Sequence, residues 1–386
     1  RQSPEAAWLS APLQSDGLLR GSTRSSENQK LEKDMSQTKT LEEKNLKAEI
    51  FSAPVVADEL ARMWSEKRPA IRQVAKEIIA RKPRNIVFTA SGGSAAALYS
   101  GYWAGLHYLK LPVNYLLGPD ILSVHPTVLD KDSIAITASY SGKTMDTVRT
   151  KERLLEQGVP IFVITRRPDA ELAKGATWAV TYESIALYSS PAYLTMLLVV
   201  ELACEHGEWS AEIAEFEKAL EALPQLLRDI AEPSREMAER LAPELDSGKL
   251  LVLSAGASYT LGHMMAYDMF GEFLKEYCAY IHTGEFRHGP LEIVRPGEPT
   301  MLILTGNDGS RRFADAAIQF GHGNGAKTVV FDGKELAPAA HPLFDALVLY
   351  QSQLWLLYYM ACRRGVDLEN YKYMHVVPFA ADDTYF

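Results

Sequence analysis

Long hydrophobic runs are missing. No apolar stretch of the 386-residue chain approaches the roughly 18 residues a membrane span needs, so no membrane is implied. Excess basic charge is missing too. Lys and Arg number 40 against 49 Asp and Glu, a net charge of −9, which argues against nucleic acid or an anionic membrane as partner. A small anionic ligand stays open, because backbone amides hold a phosphate without a basic patch. Cysteine is scarce. Cys204, Cys278 and Cys362 are odd in number, far apart and without metal-ligand spacing, and read as reduced thiols in a cytoplasmic protein. An initiating Met and a signal-peptide core are absent from an N-terminus rich in Ser, Gln and charge. Residues 1–34 are expected to be a disordered tag or upstream segment, with Met35 as a native start.

What is present is the patterning of a globular α/β chain. Apolar residues make up 47%, a normal fraction, and the length suits two domains. Residues 35–80 read as N-terminal helices, with Pro54 and Pro69 separating turns. At Asn85 the period changes. Ile86–Phe88 is a short buried strand, Thr89–Ser94 a turn, and Ala95–Leu109 a helix. Strands at Val113–Leu117, Ser133–Ala138, Ile161–Thr165 and Trp178–Tyr182, with a helix over Thr144–Gln157, complete a doubly wound parallel sheet in a domain spanning 81–208. Tyr193–Glu205 is an apolar helix, and 209–245 reads as solvated connecting helices. At Lys249 the unit repeats, with a strand at Leu250–Leu253, a small-residue turn at Ser254–Ser258 and a helix over Thr260–Tyr277. Strands at Pro299–Leu304, Thr328–Phe331 and Ala346–Tyr350, then a helix over Gln351–Arg363, fill a second domain at 246–386. The expected fold is therefore α/β, two tandem doubly wound parallel-sheet domains of flavodoxin-like type. Duplicated modules often place a site between copies or between subunits.

Two loops of the first domain can hold an anion. Ser91-Gly92-Gly93-Ser94 joins a strand to a helix, and its glycines let the backbone approach a ligand at the helix N-terminus. The competing reading is a tight connection with Ser94 as N-cap. Ser139-Tyr140-Ser141-Gly142-Lys143-Thr144 follows the strand Ile134–Thr137, and Ser139, Ser141, Lys143 and Thr144 can all donate to a phosphate. The spacing of a nucleotide-binding P-loop is absent. Two such loops at strand C-terminal ends point to one anion site at the switch point of the sheet.

This pair of loops resembles the SIS (sugar isomerase) domain, whose second loop reads Ser-x-Ser-Gly-x-Thr. The resemblance covers roughly residues 50–380 as two tandem SIS domains. It implies a sugar-phosphate substrate, with Ser94, Ser139, Ser141 and Thr144 as its ligands and Gly92, Gly93 and Tyr140 beside them. The second copy, Ser254–Ser258, departs from the pattern and is expected to pack rather than bind phosphate.

The other informative stretch runs from Glu272 to Pro290. On a helical wheel at roughly 100° per residue, Leu261, Met264, Met265, Asp268, Met269 and Glu272 share one face of about 140°. Two carboxylates in an apolar stripe must be paired, neutral or functional. Asp268 is read as hydrogen-bonded and inert at a subunit interface, Glu272 as functional. Ile281 to Pro290, Ile-His-Thr-Gly-Glu-Phe-Arg-His-Gly-Pro, resembles the catalytic segment of the isomerase half of glucosamine-6-phosphate synthase, and more closely that of fructosamine-6-phosphate deglycases. In both groups a Glu sixteen positions before the motif's last His is a catalytic base, and Glu272 and His288 match that spacing. The synthase also uses a Lys three residues before its Glu and a Lys in its C-terminal tail. Met269 stands at the first position and, by ungapped matching, Met374 at the second.

The resemblance implies a deglycase that needs no metal or cofactor. Glu272 would move a proton between C1 and C2 of an Amadori product, and His288, entering from the neighbouring subunit of a homodimer, would act at an oxygen. His282, Glu285 and Arg287 are further substrate-binding candidates, with a structural hydrogen bond as the competing reading of His282 and a substrate carboxylate as the partner suggested for Arg287. Two alternatives remain open. One is a phosphosugar isomerase or amino-sugar-phosphate deaminase using the same pair. The other is a non-catalytic phosphosugar-sensing module.

Overall fold

The computed structural model describes residues 38–246, 248–374 and 376, so the expectation for 1–34 lies outside it. After a helical stretch at 38–45 come α1 (Val56–Glu66) and α2 (Arg68–Ala80). Pro69 sits in the first turn of α2, where a missing N–H breaks no helical bond.

The first sheet is built from β1 (Asn85–Ala90), α3 (Gly92–Tyr108), β2 (Val113–Leu117), α4 (Gly118–Val124), β3 (Ser133–Ser139), α5 (Met145–Glu156), β4 (Ile161–Thr165) and β5 (Trp178–Thr181). Its order is β2-β1-β3-β4-β5, and every pairing is parallel, with Ile86 beside both Val113 and Ile134. Three helices follow, α6 (Ser189–Glu205), α7 (Ala211–Asp229) and α8 (Ala231–Leu241). The second sheet uses β6 (Leu250–Ser254), α9 (Tyr259–Met264), β7 (Cys278–His282), β8 (Thr300–Thr305), α10 (Arg311–Gly323), β9 (Thr328–Asp332), α11 (Gly333–Leu336) and α12 (Asp345–Arg364). Its order, β7-β6-β8-β9, repeats the first four strands of the first sheet, and it too is parallel.

Side chains alternate across the strands. Ile86, Phe88, Ile136 and Ile164 face a large central core that continues to Val252, Leu302 and Leu304 of the second sheet. Val87, Ala135 and Val163 face a smaller outer core under α5, and Leu251, Leu253 and Ile303 a third under α10. Helices α6 and α12 run through the central layer, apolar and buried nearly all round, as a helix covered on every side must be. No helix among the described residues is long and apolar enough to cross a membrane.

Two local expectations are corrected. Ala346–Tyr350 is not a strand but the first turns of α12. An unbroken apolar run suits a buried helix as well as a buried strand, and here it covers the central core. Nor is Thr260–Tyr277 one regular helix. After Met264 the chain widens into a π-helix over Met265–Phe273, with Leu274 N–H reaching back to Met269 C=O at 3.0 Å. Such i→i+5 turns are rare and gather at functional sites.

Candidate active site

Strands β1 and β3 end side by side where the strand order reverses, which opens a crevice beyond their carboxyl ends. Two loops line it. Ser91 precedes α3 and occupies its N-cap, not Ser94. The free N–H groups of the first turn of α3 therefore begin at the two glycines. Among the described residues the buried hydroxyl of Ser91 has no hydrogen-bond partner, which leaves it available to a ligand. The second loop is shaped from below. Ser139, 2% exposed, accepts a hydrogen bond from Gly142 N–H at 3.0 Å and meets Thr144 Oγ1 at 3.1 Å. Gly142 has φ +64°, and a Cβ there would lie 2.3 Å from Ala170 Cβ.

The π-helix forms the facing wall. Together these elements enclose a cleft of ≈ 440 Å³ lined by Ser91 to Ser94, Tyr140, Ser141, Thr144, Met264, Asp268, Met269, Glu272 and Phe273. Asp268 approaches the first loop so closely that a Cβ on Gly93 would sit 3.0 Å from its Oδ2. Burial, and then the neighbouring Glu272, pushes the Asp268 carboxyl up to about 7. Asp268, on the π-helix, lies in the cleft wall.

Other parts of the chain close the cleft that the sequence did not single out. Glu49, Ile50 and Leu187 line one side, and Tyr371 and Met374 of the C-terminal segment another. Glu49 Oε1 accepts from Tyr140 Oη and from Arg166 Nη1, each at 2.6 Å, which ties the N-terminal segment to the second loop. Burial and the Glu49 hydrogen bond raise the Tyr140 phenol. Burial, then Glu272, raises that of Tyr371. Glu49 and Ile50 fall in the stretch 35–80 read as N-terminal helices, and nothing in its pattern indicates what they cover.

The candidates thus separate into groups. Gly92, Gly93, Ser94, Tyr140, Ser141 and Thr144 line one cleft with Glu272. Ser139 lies beneath the loop it shapes, and Lys143 is exposed outside the wall. His288 and Arg287 are exposed on the turn after β7 and are not in the cleft wall, nor is Glu285. His282 packs on the Tyr259 ring at 5.0 Å and accepts from Gly284 N–H at 3.1 Å; burial lowers the pKa of its imidazole. It lines a separate cavity of ≈ 780 Å³ at the carboxyl ends of β6 and β8. There Asp308 takes the place an anion would occupy, accepting from Ala257 N–H at 2.7 Å and Ser310 N–H at 2.8 Å. The second copy of the loop is satisfied by the protein's own carboxylate. Among the described residues no three His, Cys, Asp or Glu side chains gather to hold a metal ion.

Residues 78–204 match the family model of the SIS domain. The fructoselysine 6-phosphate deglycase of Escherichia coli K12 is 25% identical over 319 residues, covering 82% of this chain and 93% of that enzyme. The fructosamine deglycase FrlB of Bacillus subtilis is 26% identical over 260 residues, covering 64% of this chain and 76% of its own. A Salmonella typhimurium crystal structure classed with the phosphosugar isomerases superposes with a TM-score of 0.74 at 22% identity, over 82% of this chain and 98% of that one. Residues 78–204 thus match the SIS domain, and the two parallel sheets of the chain have the fold of that Salmonella structure.

Proposed function

We propose that this chain is a deglycase that hydrolyses 6-phosphorylated Amadori products to glucose 6-phosphate and a free amine. The observation that carries the reading is the meeting, in one ≈ 440 Å³ cleft, of the Ser94, Ser141 and Thr144 hydroxyls with the Glu272 carboxylate. Met269 and Met374, at the positions where the resembled synthase has lysines, are also in this wall, and neither can donate or accept a proton. The similarity to two deglycases points the same way.

The chemistry follows from the substrate. Its phosphate binds at the first turn of α3 and the two loops, where N–H groups and hydroxyls meet an anion without a basic patch. Its open-chain C2 carbonyl acidifies C1–H. Glu272 takes that proton, giving an enaminol, and returns a proton to C2, giving the C1 imine of glucose 6-phosphate. Water adds to the imine and the amine leaves. A carboxylate within reach of both carbons suffices for the transfer.

His288 supplies acid–base work at the substrate oxygen. The resemblance to the deglycases has it enter the cleft of a second copy in a homodimer with shared sites, and its exposure outside the cleft of its own chain agrees with that reading.

The test is incubation with fructosamine 6-phosphates of several amino acids and enzymatic readout of glucose 6-phosphate. Product from at least one conjugate is expected. No product from any, with turnover of glucosamine 6-phosphate instead, would favour the deaminase alternative.

A further inference from the structure

Three carboxyl groups line the cleft, those of Glu49, Asp268 and Glu272, and among the described residues no Lys, Arg or His does. A phosphate monoester brings nearly two negative charges to that wall. Glu49 is engaged with Tyr140 and Arg166, and Glu272 is given the proton transfer. Asp268 stands at the phosphate end. Its Oδ2 is 3.0 Å from the place of a Cβ on Gly93, in the first turn of α3. The fold fixes this approach. Thr260 Oγ1 of α9 donates to the Ala96 carbonyl of α3 at 2.8 Å, and α9 leads straight into the π-helix that carries Asp268.

Among the described residues the Asp268 carboxyl forms no hydrogen bond and no ion pair. Ionised, it would set its charge against the phosphate at close range. Protonated, it has an O–H to give, and a phosphate oxygen is an acceptor. Burial, then Glu272, holds the proton on Asp268 up to about 7. The other titratable groups around it do not replace that proton. Glu272 is on its own helix, Glu49 comes from the N-terminal segment, Tyr140 from the second loop and Tyr371 from the C-terminal segment, and Tyr350 of α12 is within electrostatic reach. Burial raises all three phenols, which therefore stay neutral near pH 7.

We propose that Asp268 binds the substrate phosphate in its acid form, donating its proton in a hydrogen bond to a phosphate oxygen. The inference rests on the phosphate assignment within the deglycase reading. Neighbouring carboxyls then take different tasks: Asp268 keeps a proton and donates, while Glu272 accepts protons from carbon. In acid the free protein already carries the Asp268 proton. Above about 7 the carboxylate takes one up from solvent as the phosphate binds. Phosphate affinity is therefore lost as pH rises, by roughly tenfold per unit above that value.

The test titrates glucose 6-phosphate, the proposed product, into the wild type and Asp268→Asn at pH 8, by calorimetry in buffers of different ionisation heat. The wild type should take up about one proton more per ligand bound than the variant, whose amide donates without titrating. From pH 8 to pH 9 its affinity should fall roughly tenfold, and that of the variant by less than about twofold. No uptake by the wild type, or equal uptake by both proteins, overturns the role of Asp268 and leaves the deglycase reading intact. No binding of glucose 6-phosphate to the wild type overturns the phosphate site and this inference with it. The measurement needs no turnover, so a protein that forms glucose 6-phosphate from no conjugate would sink the deglycase reading without altering this result.

Discussion

Asp268 and Glu272 place two carboxyl groups in the wall of one cleft. Like charges held so close resist being ionised together, and burial adds to that resistance. Asp268 shows the effect, its carboxyl rising from the ordinary 3.8 to about 7 through burial first and Glu272 second. In the native state it therefore keeps a proton at pH values where the unfolded chain has lost it. The native state is favoured by this group most at the acid end, and the advantage drains away as pH rises from about 4 to about 7. Asp268→Asn cannot ionise, so its denaturation midpoint should gain on the wild type steadily across that range. A constant difference over the same range would show that Asp268 is ionised throughout. That both carboxyls share a face with Met264 and Met269 is legible from apolar spacing. What that face meets is not, because a helical wheel assigns a direction but not the neighbour found there.

At the scale of elements, the loop after β3 is held by contacts its own residues supply. Ser139 takes the Gly142 N–H, and Gly142 lies against Ala170 in a left-handed conformation. Gly142→Ala is expected to strain the backbone and push the loop off Ala170, costing about 1–3 kcal/mol. It should also weaken competition by inorganic phosphate, which a titration of the residual activity would measure; unchanged stability and phosphate affinity would mean the loop does not depend on this turn. The Ser-x-Ser-Gly-x-Thr pattern makes this loop readable in sequence, because each residue type there has one obvious use. The π-helix carries no such mark. Its residues, Met265 to Phe273, mix good helix formers with poor ones such as Asp268 and Gly271, and nothing in their order signals an extra residue per turn. The same ambiguity hides the start of α12, where Ala346–Tyr350 would serve equally well as a fifth strand of the second sheet.

At the scale of the molecule, the two sheets share a strand order and divide the labour. The first carries the two loops that line the open cleft, and the second fills its own loop with Asp308 and presents the π-helix and the turn bearing His288. The duplication is legible because strand, small-residue turn and helix recur in the same sequence at Asn85 and Lys249. The covering of the cleft by Glu49 and Tyr371 is not, since both come from segments whose patterns say nothing of where they dock. The cleft is proposed to be half of an active site, with Glu272 from one chain and His288 from another. Co-expressed Glu272→Gln and His288→Gln chains test it directly, with glucose 6-phosphate formation as the readout. Each variant alone should retain less than about 1% of wild-type activity. In a two-fold dimer half the molecules pair unlike chains and one of their two sites is whole, so about a quarter of the activity should return in the mixture. No recovery in a mixture shown to contain the unlike pair, or full activity in the Glu272→Gln chain alone, would contradict the account.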